Sequence, residues 1–489
     1  MAAVTEIVQA PLYQTLPVGQ EVIFGVSNNT ALMNGNLSKV KFVVEVYITS
    51  GSVSTLMTSD NLRGTFKVTP NASGVGMIDL SNIVENYVSA DNLASIGTKY
   101  KDTETITARP HPLHLVDKFS QSQNIARYMA IRFSVEALGG SNTVQPISGT
   151  AQTSELYLLW NGYLKDTDEL VRETIGTSPL NWFGFKPHKF YPSSGGAAAF
   201  LTNAPTVQYA DDEDYGTFAF FASSNSQSVY SARVYLKYYQ ASGGLLDQEY
   251  ITRYTNAGGS NYNQYNQTAT QQIQYIGCFP GNLRNWSSTF KNNYDLGDLY
   301  GGRIDVYLAN DQGVQTGKTY SIHLNCPTTG AESANTPGRG YERIRLCWLN
   351  QWGAWDYYTF TKKSTRKIST KTTTYQQLEG TWNQAIYSPH GYKGGKKAFR
   401  KNATESITIN TDFVSEDDNV IFEELTNSPE VYILKGYETT SANTDTLNRY
   451  VTPTTLKTSS FTKKTVANDK LIQYTFEIEK SKTLRTQSI

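Results

Sequence analysis

Residues 341–360 read YERIRLCWLNQWGAWDYYTF and hold three of the seven tryptophans of the chain. Ile344, Leu346 and Trp348 alternate with Arg343, Arg345 and Cys347, the period-2 pattern of a strand with two chemically different faces. Asn350-Gln351-Trp352-Gly353-Ala354 then supplies turn chemistry, because Gly353 tolerates positive φ and Asn350 can bond its own backbone. Trp355, Tyr357 and Thr359 alternate with Asp356, Tyr358 and Phe360 on the return. The stretch is predicted to be a β-hairpin with Trp348, Trp352, Trp355 and Tyr357 as its structural aromatics. The competing reading makes the same rings a ligand-stacking platform.

The rest of the chain points the same way. At 489 residues it is too long for one ordinary core. Lys+Arg and Asp+Glu are equal at 43 each, so the electrostatic excess of a dedicated nucleic-acid binder is missing. Charged residues are only 18% and aromatics 12%, with 33 tyrosines, a composition suited to β-sheets with wide polar surfaces. The expected fold class is therefore mainly β, with several β-sandwich-like or barrel-like domains and a few short helices. Three segments are expected: an N-terminal β domain over 1–165 with one short helix, a middle β domain over 166–340 with long polar loops, and a C-terminal β domain over 341–489 with the aromatic hairpin and a short helix.

Strands are predicted over Glu21–Val26, Lys41–Ile48, Gly64–Val68, Tyr128–Ala137, Glu155–Leu164, Gly216–Ala222, Ala232–Tyr239, Gln272–Cys278, Gly302–Ala309, Lys318–Leu324, Glu405–Phe413, Glu430–Leu434 and Lys470–Glu479. Leu80, Ile83, Val84, Tyr87 and Val88 fall at helical spacing behind Asp79 or Ser81 as cap. Helical character is also expected in DTDELVRETI, from Asp166 to Ile175. Ser415 with Asp418 forms a capping box ahead of a helix that ends before Pro429. TKKSTRKISTKTTTYQQ, from Thr361, suits an edge strand or extended arm whose lysines discourage unwanted pairing, and YKGGKKAFRK, from Tyr392, is expected to be a second basic loop.

No positive sign of catalysis is found. The three cysteines, Cys278, Cys326 and Cys347, form neither a disulfide framework nor a metal spacing, and read as buried small hydrophobes. His111 and His114 make a poor metal site without a third ligand, and the run Asp211-Asp212-Glu213-Asp214 lacks the spaced ligands of a calcium loop and reads as a solvated turn. Nucleophile-elbow, Walker and HExxH patterns are missing. No catalytic, cofactor-binding or metal residue is therefore expected, and no cofactor. The N-terminus lacks a basic region before an apolar core, and no apolar run reaches the roughly 20 residues of a membrane span.

RIRLCWLNQWGAWDYYTF, followed by a Lys/Thr-rich strand, resembles a segment of structural proteins of tailed bacteriophages. EELTNSPEVYIL, NDKLIQYTFEIEKS, PVGQEVIFGVSN and GVGMIDLSNIVENYV are similar to the same group. Together these cover about a third of the chain. The resemblance implies a non-enzymatic virion subunit of a tail, baseplate or neck, made in the host cytoplasm, assembling as a ring of identical copies and contacting other virion proteins. DNA contact is implied only if the chain lines a channel. The alternative is a carbohydrate-binding or receptor-binding, depolymerising virion protein, whose partner would be a host surface glycan. For assembly, the candidate interface residues are Lys362, Lys363, Arg366, Lys367 and Lys371, with Asp211 and Asp212 of an adjacent copy as their expected counterparts.

Overall fold

The computed structural model describes residues 4–90, 119–120, 122, 124–140, 143–165, 170–174, 181–186, 189–190, 198–222, 233–252, 269–324, 341–434, 451–465, 472–482 and 484–485. His111, His114, His188, Cys326 and most of the polar loop 255–272 lie outside them. The chain is mainly β, with several sheets and a few short helices. It forms two compact units. The first comprises 1–327 with Leu349–Asp356, and the second 328–348 with Tyr357–Ile489.

The first unit begins with two sheets enclosing one core. A three-stranded sheet (Glu6–Gln9, Ile23–Ser27, Val75–Asp79) faces a seven-stranded one built on the long strands Ser38–Thr49 and Ala126–Leu138. Phe24 meets Phe133 at 5.8 Å and Tyr157 at 5.6 Å between ring centroids, with Val26, Val44, Val46, Ile131 and Val135 buried around them. The inward positions are β-branched or aromatic, which suits a pleated surface packed on one face. Behind Asp79 the helix is short, Ser81–Val84, and Asp79 accepts hydrogen bonds from the Ser81 and Val22 amides.

Further along, a five-stranded sheet runs in the order Val207–Ala210, Tyr320–Leu324, Arg303–Ala309, Arg233–Tyr239, Leu245–Thr252. Two helices, Pro280–Trp286 and Ser288–Asp295, go beyond the sequence expectation. Pro280 opens the first, where its missing N–H costs nothing, and Ser287 caps the second by accepting from the Phe290 amide. Leu170–Thr174 corrects the helical expectation for its segment: it is a strand, paired with Asn181–Phe185 from Leu170↔Phe185 to Thr174↔Asn181. A ladder partner a few residues on outweighs the weak helical propensity of the described part of that segment.

The second unit is organised on one eight-stranded sheet. Its order is Trp355–Phe360, Ile344–Leu349, Val431–Leu434, Val451–Leu456, Thr475–Lys480, Gly395–Asn410, Thr365–Gln377, with Leu484–Arg485 also on Gly395–Asn410. Ser415 and Asp418 form the expected capping box, and the helix Asn419–Asn427 follows, burying Ile421, Phe422 and Leu425. Phe422 packs on Tyr358 at 5.0 Å, Tyr474 at 5.5 Å and Phe476 at 5.7 Å. Tyr474, Phe476 and Ile478 are buried while Gln473, Thr475 and Glu477 are exposed, as the alternation of the last strand requires. Thr365–Gln377 is an edge strand, as is Trp355–Phe360 at the other side. The basic stretch from Gly395 to Lys401 is not a loop. It opens a 16-residue strand, Gly395–Asn410, paired along Thr365–Gln377.

Candidate functional site

The aromatic hairpin is closed to ligands. Its turn follows the expected chemistry: Gly353 has φ +74°, and the Asn350 side-chain oxygen accepts from the Trp352 and Ala354 amides at 3.0 Å each. The Asn350 amide donates to the Leu201 carbonyl at 2.9 Å, and the Tyr275 hydroxyl to the Gly353 carbonyl at 3.1 Å. Within the first unit Trp352 is fully buried against Phe190 at 4.9 Å and Phe185 at 5.3 Å, and the Lys189 ammonium lies 4.0 Å from its ring centre. Trp355 is buried there as well. Trp348 and Tyr357 are buried in the second unit, where the Arg345 guanidinium covers Tyr357 at 5.1 Å. Rings so enclosed offer no face to a sugar or a base.

The acidic run is likewise engaged within its own unit. Asp211 and Asp214 are buried, the Asp211 amide donating to Asp214 at 2.9 Å, and Glu213 is exposed, so the turn is only partly the solvated one expected. Asp212 accepts from the Tyr294 hydroxyl at 2.8 Å and pairs with Arg284 at 3.5 Å. In the second unit Lys362 pairs with Asp412 at 3.1 Å, and Arg366 holds both Glu342 and Glu405. Lys363, Lys367 and Lys371 are exposed. A pairing of this arm with Asp211 and Asp212 of another copy thus has to compete with partners each side already has. Among the described residues no group of three or more His, Cys, Asp or Glu is placed to hold a metal ion.

Two surfaces stand out instead. The first is the outer face of the five-stranded sheet. Tyr250, Tyr235 and Tyr307 lie opposite one another on three neighbouring strands. Tyr235 and Tyr307 stack at 5.5 Å with planes 4° apart, and Tyr250 follows at 5.3 Å. Cations take the remaining faces: Arg233 over Tyr250 at 4.5 Å, Lys237 over Tyr307 at 5.3 Å and Arg303 over Tyr239 at 4.1 Å. Tyr209 sits beside His323 on the edge strand at 5.5 Å. The opposite face of the sheet, with Val234, Leu236, Ile304, Val306 and Ile322, is core. Alternation on these strands is readable in the sequence, but the cross-strand registry that aligns the tyrosines is not.

The second surface is a two-stranded ribbon. All of Thr365–Gln376 is exposed, on both faces. Among the described residues its partner strand is backed by Thr475–Lys480 and Leu484–Arg485, from Asn402 onward. Among the described residues no third strand pairs with the ribbon between Thr372–Gln377 and Gly395–Lys401. Residues 378–394 connect the strands and expose Leu378 (71%), Trp382 (73%), Ile386 (78%) and Tyr392 (71%). The connection is built around Thr381, whose buried hydroxyl donates to the Ile386 carbonyl and accepts from the Ser388 amide. Trp382 packs edge-on against Tyr387 at 5.7 Å.

No protein-family model matches the sequence, and no curated protein matches it. Among solved structures the chain is similar to Escherichia coli alpha-2-macroglobulin activated by porcine elastase, with 10% identity and a TM-score of 0.18, over 84% of this chain and 34% of that one. A Salmonella alpha-2-macroglobulin mutant gives 8% identity and a TM-score of 0.17, over 84% of this chain and 25% of that one. The chain thus spans about a third or less of the length of these proteins, and likenesses this weak carry no argument about its fold or function. Among the described residues no helix is long and apolar enough to cross a membrane.

Proposed function

We propose that this chain is a non-enzymatic structural subunit of a bacteriophage virion, a component of tail, baseplate or neck, that assembles as a ring of identical copies beside other virion proteins. The resemblance of the aromatic hairpin and the C-terminal strands supports the virion. The tyrosine face of the five-stranded sheet is the observation that carries the assembly role. Its rings stack on one another and under Arg233, Lys237 and Arg303, so their faces are already occupied. What remains outward is ring edges, hydroxyls and cationic heads on a rigid sheet, the chemistry enriched where protein surfaces meet. A sugar-binding cleft needs open ring faces, which the buried Trp160, Trp348, Trp352 and Trp355 do not offer.

The test is the mass of the purified chain in solution across a concentration series, with electron microscopy of the product. Rings or larger closed assemblies are expected. A strictly monomeric chain that hydrolyses a bacterial surface glycan in a saturable manner overturns the reading. Peptides of this chain should also be recovered from purified particles.

A further inference from the structure

We infer that the ribbon formed by Thr365–Gln377 and Gly395–Asn410, with its apolar tip 378–394, is a docking arm whose occupant is a second copy of this chain. The inference rests on the assembly role proposed above and assigns a device to it.

Three observations converge on the ribbon. The first is that it is under-supported as a free element. A two-stranded hairpin is marginal in water without a third strand or a packed face, and the distal ribbon has neither among the described residues. At about 3.3 Å per residue, the six or seven residues of each strand that no described strand backs extend it by about 20–23 Å before the tip begins. The second is where the apolar mass lies. Leu378, Trp382, Ile386, Tyr387 and Tyr392 are exposed within one 15-residue stretch, while the other six tryptophans lie outside it. A rigid Trp–Tyr pair at the end of a projecting hairpin has the composition of an interface anchor.

Charge is the third, and it identifies the occupant. From Ile368 to Asn402 the chain carries Lys371, Lys393, Lys396, Lys397, Arg400 and Lys401 against Glu379 alone, a net +5. The whole chain balances 43 against 43, so everything outside residues 368–402 carries −5. The ribbon and the body of the same protein are therefore electrostatic complements. A second copy supplies the acidic excess without another partner, and like-charged arms repel one another and are steered to bodies. An arm on a neighbour's body is a heterologous contact, which closes into a ring when the rotation permits. Nucleic acid is the competing anion. Ile368, Tyr375 and Phe399 are exposed among the lysines of the strands, but Leu378, Trp382, Ile386 and Tyr387 at the tip lie in a stretch without Lys or Arg, so the tip favours a protein pocket over a phosphate backbone.

The experiment uses the full chain in three forms: parent, the tip variant Trp382→Ala with Ile386→Ala, and the charge variant Lys371→Glu with Lys396→Glu. Sedimentation velocity across a concentration series reads self-association, circular-dichroism melts read folding, and a benzophenone amino acid at Tyr392 captures whatever the tip touches. The parent should associate. The tip variant should associate on the order of 100-fold more weakly, the combined loss of two anchor side chains, with an unchanged melt because both are largely exposed. The charge variant should associate more slowly, and added salt should slow it less than it slows the parent. The benzophenone should join two copies of the chain. Equal association of parent and tip variant overturns the arm while leaving the assembly role intact. Capture of a 30-base-pair duplex in place of a second copy also overturns it. A parent that never associates overturns the assembly role and the arm with it.

Discussion

Two hairpins lie only a few residues apart in this chain and put the same kinds of side chain to opposite use. In the first, Ile344–Phe360, every tryptophan is buried. In the second, Thr365–Asn410, the one tryptophan is 73% exposed, and isoleucine, leucine and tyrosine beside it face outward as well. The difference does not lie in composition. It lies in what packs on the rings: Trp352, in the turn of the first hairpin, meets Phe185 and Phe190, whereas Trp382 packs on Tyr387 of its own connection. Burial of an aromatic is thus a property of what packs on it, which a single strand does not reveal.

The comparison is most sharply broken by tryptophan truncation. Trp348→Ala or Trp352→Ala should cost about 3–5 kcal/mol in urea unfolding, the range for deleting a buried indole. Trp382→Ala should stay within about 0.5 kcal/mol for the unassembled chain. The indole N–H groups of Trp348 and Trp352 have no hydrogen-bond partner among the described residues, so Trp352→Phe should lose far less than Trp352→Ala. A Trp382→Ala variant as destabilised as Trp348→Ala would mean that the tip is folded back as core.

The turn of the first hairpin comes next in size. A Cβ on Gly353 would sit 2.3 Å from the Asn161 carbonyl, at a φ of +74° that other residues adopt with strain. Gly353→Ala should therefore cost at least about 1–3 kcal/mol. Asn350→Ala strips an acceptor from two buried amides and a donor from the Leu201 carbonyl, and should cost about 1–3 kcal/mol, read by the same unfolding curves. Leu378→Ala, where the second hairpin leaves its edge strand, should stay within about 0.5 kcal/mol because the side chain is largely exposed. A tolerated Gly353→Ala would show the turn free to rearrange.

Much of the fold is legible because it is written locally. The alternation of Ile407 and Ile409 with Ser406, Thr408 and Asn410, the Ser415–Asp418 capping box and the last strand each need only a few residues to be read. Asn350 and Gly353 announce their turn for the same reason. The helices at Pro280–Trp286 and Ser288–Asp295 escape a local reading although Pro280 and Ser287 mark their starts, because the polar residues of the second hide a short apolar stripe of Phe290 and Tyr294. Gly395–Lys401 reads as a loop because glycine and lysine are poor strand formers, and only its pairing with Thr372–Gln377 makes it a strand. The candidate surfaces are least legible. The tyrosine row depends on registry between strands far apart in sequence, and the partners of Arg366 and Asp212 come from distant segments.

The smallest of the expected losses separates the foot of the ribbon from its distal half. At the foot, Glu405 accepts from Lys480 at 2.6 Å and from Arg366, which also binds Glu342. The Lys480 hydrogen bond, with that of Arg366, holds the Glu405 carboxyl below its usual range against the opposing effect of burial. A carboxylate depressed in the folded state adds stability that is fully present above the unfolded value, near 4.3, and fades as pH falls through the folded one. Urea unfolding of the parent should therefore weaken below about pH 4.3, and Glu405→Gln should remove part of that slope. At pH 7 Glu405→Gln should cost on the order of 1 kcal/mol, less in high salt, because Arg366 is partly exposed. Hydrogen exchange sharpens the contrast. Amides from Thr372 to Gln377 should exchange quickly in the dispersed chain whether or not Glu405 is intact, and slow down only on assembly. If they are as protected as Ile407 and Ile409 before assembly, the distal ribbon already has a partner within its own chain, and the division between its foot and its arm disappears.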